Sequence, residues 1–234
     1  MAEPVSIVFP LYPGITHLDF TGPHQFLARL PGARLTVASI GGEPVKADGL
    51  TFSDLAKLEE IEACDVICVP GGVGCGRMMT DEAFLAAIRR LAAGARYVTS
   101  VCTGSLILGA AGLLEGRRAA CHWAWRDFLP LFGAIPDAAR VVRDGNVLTG
   151  GGVTAGIDFS LTLATELAGA DIAQSIQLML EYAPAPPFNA GRPDTAPAEI
   201  YAKVAAVSGV NAPGRRAEIE GAGVAYAAAR RAVV

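Results

Sequence analysis

The chain has 234 residues, 52% of them hydrophobic and 18% charged, with a formal net charge of −4. That is enough apolar chain to bury a sizeable core, and it excludes disorder as a global description. The acidic balance argues against a dedicated nucleic-acid binder, since the doublets Arg215-Arg216 and Arg230-Arg231 make no basic patch.

Met1 to Pro10 lacks the basic start of a secretory signal, and Gly, Pro or charge interrupts every apolar run before it reaches membrane-spanning length. The five cysteines (64, 68, 75, 102 and 121) are odd in number and lack the paired Cys-x-x-Cys spacing of a zinc site. These features lead us to expect a cytoplasmic protein with reduced thiols, no metal site and no membrane partner.

Val5 to Leu11 reads as a buried parallel strand. Tyr12 to Pro23 reads as a long turn, followed by a helix from Pro23 to Leu30 with proline in its first turn. Arg34 to Ile40 is a second strand, and Val45 to Phe52 a hairpin turning at Asp48-Gly49. Asp65 to Pro70 is a third core strand, cut off by Pro70-Gly71-Gly72. Thr80 or Asp81 caps a helix over residues 82–93, whose apolar positions Phe84, Leu85, Ile88 and Leu91 share one face.

Tyr97 to Val101 is a β-branched strand that gives way, through Cys102-Thr103-Gly104, to an apolar helix over 105–111. Beyond it we expect a strand over 118–123, a helix over 125–132 and a hairpin around Asp144-Gly145. Gly150 to Gly156 is a second glycine-rich turn, leading into helices over 157–167 and 171–181. Tyr182 to Pro193 is a proline-rich arm, and the Ala-rich end is expected to be helical.

Strands alternating with helices predict a parallel sheet covered on both faces, with any ligand beyond the strands' carboxyl ends. That gathers Asp19, Gly71-Gly72, Cys102-Thr103 and Gly150 to Thr154 around one crevice. Neither a Gly-x-Gly-x-x-Gly nor a phosphate-loop motif is present, which argues against a nucleotide site.

Cys102 stands where a strand turns directly into a helix, so the free N–H groups of the first turn should favour its thiolate. A cysteine can equally be a small buried hydrophobe, but Thr103-Gly104 is turn chemistry rather than strand core. The N–H groups of Gly72 or Val73, and of Thr103, are candidates to stabilise developing charge. Asp19 can stabilise its own turn, or, facing Cys102, can carry a proton at a raised pKa. His122 is either a packed residue at a strand end or a supporting group. Asp158 suits a helix N-terminus, Cys64 and Cys68 a buried strand, Cys75 an exposed and oxidisable loop, and Cys121 has no assigned role.

The stretch Ser100-Val-Cys-Thr-Gly-Ser…Gly-Ala-Ala-Gly-Leu-Leu114 resembles the nucleophile elbow of the DJ-1/PfpI superfamily, within the class I glutamine amidotransferase-like folds. Leu18 to Pro23, Asp65 to Gly72, His122 to Ala124, Val141 to Asn146 and Gly151 to Phe159 are also similar to it. The arm Glu181-Tyr-Ala-Pro-Ala-Pro-Pro-Phe-Asn-Ala-Gly191 narrows the likeness to the isonitrile hydratase branch.

This resemblance implies an α/β, flavodoxin-like three-layer sandwich with a mainly parallel central sheet. It divides the chain into a catalytic domain over 1–197 and an Ala-rich helical extension over 198–234, packed on the domain or trailing it. It places the family's nucleophile on Cys102, its essential aspartate on Asp19 and a supporting threonine on Thr103. Thr103 stands where the superfamily's proteases have histidine, Asp19 where many relatives have glutamate, and Cys121 where a hydroxyl residue is expected. The implied reaction is hydration of an isonitrile to an N-substituted formamide by a homodimer that needs no cofactor. The competing expectations are a ligand- or redox-sensing module, similar to the sensor half of AraC-type regulators, and a generic cysteine hydrolase.

Overall fold

The structure, a computed structural model, describes residues 4–231; residues 1–3 and 232–234, at the outer ends of the two expected segments, lie outside it. In chain order the elements are β1 (Ser6–Pro10), α1 (Leu18–Leu27), β2 (Arg34–Ser39), β3 (Val45–Ala47), β4 (Leu50–Phe52), β5 (Ala56–Lys57) and β6 (Val66–Val69). There follow α2 (Cys75–Met78), α3 (Glu82–Gly94), β7 (Tyr97–Val101), α4 (Gly104–Ala110), β8 (Arg118–Ala119), β9 (Ile135–Pro136), β10 (Val141–Asp144) and β11 (Val147–Gly150). Helices α5 (Ala155–Ala168), α6 (Ala170–Met179), α7 (Ala198–Val207) and α8 (Arg215–Arg231) complete the fold.

Seven strands form one sheet in the order β10-β11-β7-β6-β1-β2-β5. Only the edge pair β10–β11 is antiparallel, turning at Gly145. The result is a three-layer α/β sandwich. Its central strands read as apolar runs because both faces are covered: all four residues of β6 and four of five in β1 and β7 are buried.

Register places the chemistry. Val69 of β6 pairs with Ser100 of β7, and Val101 with Gly150 of β11, so three strands end together. The loops after β1 and β6 then bind each other, Thr16 N–H donating to the Gly71 carbonyl at 3.0 Å and Gly74 N–H to the Gly14 carbonyl at 2.9 Å. The chain leaves β1 in opposite directions across the sheet at this point, which is where open α/β sheets form their crevice.

Several expected boundaries shift. Helix α1 begins at Leu18, so Asp19 lies in its first turn rather than in a loop, and Pro23 sits inside the helix. Pro23 has no N–H to give the Asp19 carbonyl, but its ring packs on Gly156 of α5, and that contact holds the two helices together. The strand expected over 118–123 stops at Ala119, and the 125–132 helix is a 3-10 turn over Arg126–Phe132 containing Pro130. Asp81 caps α3, accepting from Phe84 N–H at 3.0 Å. The hairpin at Asp48-Gly49 forms as expected, with both turn residues at positive φ.

Buried hydroxyls tie α4 and β11 to Ala120, just after β8. Ser105 Oγ donates to the Ala120 carbonyl at 2.6 Å, and Thr149 Oγ1 accepts from Ala120 N–H at 2.8 Å. Gly104 lets α4 start directly under β6: a Cβ there would fall 2.2 Å from the Val69 carbonyl oxygen and 2.9 Å from that of Pro70. Both obstacles are backbone at strand ends and cannot turn aside. Gly104→Ala should therefore destabilise the fold by about 3 kcal/mol, read as a shifted urea midpoint at unchanged m-value.

Candidate active site

Cys102 sits at φ +59°, the one buried residue of the four described non-glycine residues with positive φ. For a side chain with a Cβ that conformation costs about 1–3 kcal/mol and persists only where the surroundings fix it. Here they do: Cys102 N–H donates to the Gly150 carbonyl of β11 at 3.0 Å, and α4 begins two residues later. The turn holds the thiol at the sheet edge, where Thr103 N–H meets the sulfur.

Asp19 reaches the same point from α1. Its carboxyl is fully buried; Oδ2 accepts from Gly71 N–H at 3.0 Å, while Oδ1 has no aligned donor. The Cys102 thiol lies in polar contact with the carboxyl. Gly71 permits this approach, because a Cβ there would fall 2.5 Å from Thr103 N and 2.8 Å from Asp19 Oδ2. Thr103 Oγ1 accepts from Gly72 N–H at 2.9 Å and donates back to the Gly72 carbonyl at 3.3 Å. The Gly72 N–H, expected to face developing charge, is thus occupied by Thr103.

Electrostatics reverse one expectation. The helix terminus does not yield a low-pKa thiol: burial first, then the Asp19 carboxyl and the neighbouring Cys121 thiol, raise Cys102 well above the ordinary value, against a smaller lowering by Thr103 N–H. Burial likewise raises Asp19 from 3.8 to about 7, opposed by its Gly71 and Cys102 hydrogen bonds. The two groups therefore hold protons as a pair, near neutrality.

The cavity over Cys102, about 160 Å³, is lined mainly by apolar atoms; Asp19, fully buried against the thiol, does not line it. Cys102, Thr103, Gly72 and Val73 form its floor and rim, with His122 on one side. His122 lies in a turn rather than at a strand end; its Nδ1 accepts from Ala124 N–H at 3.3 Å, and burial lowers its pKa, keeping the ring neutral. Asp158 stays outside, bonded to Arg140 at 2.5 Å and to the Tyr182 hydroxyl at 3.0 Å. Cys64 and Cys68 are buried, as expected for their strand.

Cys75, expected to be exposed, is buried at the start of α2 and borders the cavity with its thiol beside Thr103. The Gly72–Gly74 loop folds back on the β1 loop and carries Cys75 inward. Sequence reading also missed Arg215, Glu218 and Ile219, which bring α8 over the cavity. Their signal was present as an apolar stripe at Ile219, Ala222 and Tyr226, but nothing local said where it docks.

The model of the DJ-1/PfpI family matches residues 5–166, and the chain belongs to that family. It is 57% identical over 197 residues to the isonitrile hydratase of Pseudomonas putida, covering 84% of this chain and 86% of that protein. A solved ThiJ/PfpI family protein from Pseudomonas syringae superposes with a TM-score of 0.88 at 42% identity, covering 95% and 91% of the two chains. The HTH-type transcriptional regulator GbdR of Pseudomonas aeruginosa is 30% identical over 191 residues, 77% of this chain but 51% of the regulator.

The buried carboxyl makes stability depend on pH. The unfolded chain loses the Asp19 proton near 3.8 and the folded chain near 7, so the unfolded state binds fewer protons between those values and stability falls as pH rises through that window. Asp19→Asn removes the effect. Its stability relative to the parent should improve by on the order of 4 kcal/mol from pH 4 to pH 8, measured by urea unfolding at each pH. A difference that stays flat with pH would mean that Asp19 is ionised throughout.

Proposed function

We propose that this protein is an isonitrile hydratase in which Cys102 is the nucleophile and Asp19 the proton carrier. The observation that carries the reading is a thiol at the floor of a small, mainly apolar cavity, with a buried carboxyl against it that keeps its proton to about pH 7. An isonitrile has almost no charge to attract it and enters such a cavity by shape and apolar contact. The 57% identity to the Pseudomonas putida isonitrile hydratase supports the same activity.

The reactive form of the pair carries one proton. Asp19 takes it from the Cys102 thiol and passes it to the terminal carbon of R–N≡C as the sulfur bonds to that carbon, giving the thioimidate R–N=CH–S–Cys102. The ionised Asp19 then removes a proton from water, whose oxygen adds to the same carbon while the nitrogen accepts that proton. Collapse breaks the C–S bond, releases R–NH–CHO and returns the hydroxyl proton through Asp19 to the pair. Thr103 fixes the Gly72 loop by holding the Gly72 N–H, which leaves the Val73 N–H at the rim as the donor for developing charge. His122 is a neutral wall and supporting group.

Cys102→Ala should abolish formamide production, and Asp19→Asn should lower kcat by about 10²–10⁴ without unfolding the protein. Because the pair must first lose one proton, kcat/KM of the parent should rise with pH through about 7 and stay level until the second proton leaves, well above the ordinary thiol range. Full activity of folded Asp19→Asn would refute the scheme. The match to half of GbdR favours ligand sensing without turnover as the second reading, and absence of formamide from a panel of isonitriles would select it.

We also propose a cytoplasmic homodimer. Leu178 and Met179 at the end of α6 and Phe188 on the proline-rich arm are large, exposed apolar side chains that a second copy would cover. None of the described helices is long and apolar enough to cross a membrane. Sedimentation should give twice the chain mass, and Phe188→Asp with Leu178→Asp should shift it toward the monomer.

A further inference from the structure

We propose that α8 is the selectivity wall of the reaction cavity and that Ile219 sets the size of the isonitrile R group. The inference rests on the hydratase reading and adds to it a residue outside the family-matched segment of 5–166.

The floor of the cavity is committed to chemistry, so selectivity has to come from its apolar side walls. Among those, Val73 is 65% exposed at the rim and Trp125 and Val153 are half-buried, whereas Ile219 is 1% exposed. A buried wall residue has no solvent into which to yield, so a change in its bulk passes directly to whatever fills the cavity. The cavity's volume is close to the roughly 150 Å³ of an engineered apolar cavity that binds benzene, so an R group much beyond one ring meets this wall.

The wall is held by contacts that do not involve the reacting groups. Tyr226 packs edge-on to Phe132 at 5.7 Å, Gly223 sits against Leu131, and Arg230 pairs with Glu115. Toward the cavity, Arg215 donates to the Val73 carbonyl and pairs with Glu218 at 3.2 Å. Glu218 in turn lies over Gly76, where a Cβ would fall 2.2 Å from its Oε2. Ile219 therefore stands on a rigid element, and its side chain can change while Cys102, Asp19 and Thr103 stay in place.

The test compares kcat/KM for ethyl, cyclohexyl and 2,6-dimethylphenyl isonitriles, with formamide measured by chromatography. Ile219→Ala should raise the bulky-to-compact ratio about tenfold or more, through KM, and Ile219→Phe should lower it by a similar factor. Should Ile219→Ala fail to fold, Ile219→Val removes one methylene and should move the ratio in the same direction by about fourfold. Val224→Ala, on the exposed side of α8, should leave the ratio unchanged. An active parent whose ratio does not respond to Ile219→Ala or to Ile219→Val overturns the wall while leaving the hydratase reading intact. A parent that turns over none of the three removes the reaction, and the wall with it.

Discussion

Burying the Asp19 carboxyl beside the Cys102 thiol, without a cation to balance it, is the constraint around which the site is arranged. A carboxylate so placed is expensive, and the protein meets the cost by letting the group keep its proton to about pH 7. Among the described residues one backbone N–H, that of Gly71, is committed to it. More donors would stabilise the anion and return the pKa toward the ordinary range. The sparse hydrogen bonding is therefore part of how the pair retains a proton near neutrality.

That arrangement depends on close approach of backbones. Gly71 and Gly72 sit where a Cβ would strike Asp19, Thr103 or the β1 loop, and Gly104 sits where it would strike the end of β6. Strand register brings these glycines together by ending β6, β7 and β11 at the same level. The left-handed turn at Cys102 is held by both neighbours, so strain at one residue is offset by hydrogen bonds and packing around it. The sheet positions the pair, while the glycines allow the two groups to meet.

The extension beyond the matched family segment changes the character of the cavity. Without α8, the crevice at the sheet edge would open to solvent beside Cys75 and Gly76. With it, the cavity is small and mainly apolar, which strengthens each polar contact inside and keeps bulk water away from the sulfur. The same helix face that buries Ile219 and Ala222 also walls the cavity, so packing of α8 and enclosure of the cavity come from one set of contacts.

The sequence by itself determined the α/β alternation, the hairpins at Asp48-Gly49 and Asp144-Gly145, and the convergence of Asp19, Gly71-Gly72 and Cys102-Thr103, because apolar runs and turn residues act locally. It misplaced the start of α1, since Pro23 reads as a helix opener when its packing on Gly156 cannot be seen. It also exposed Cys75 and lowered the Cys102 pKa, for one reason: a helix terminus is a local signal, whereas desolvation is a sum over everything packed around the group. Tertiary structure alone decided that burial outweighs the helix end at Cys102, that Thr103 occupies the Gly72 N–H, and that Ile219 lines the same cavity as Cys102 from more than a hundred residues away in the chain. Each depends on which distant surfaces meet, and no window of sequence contains that information.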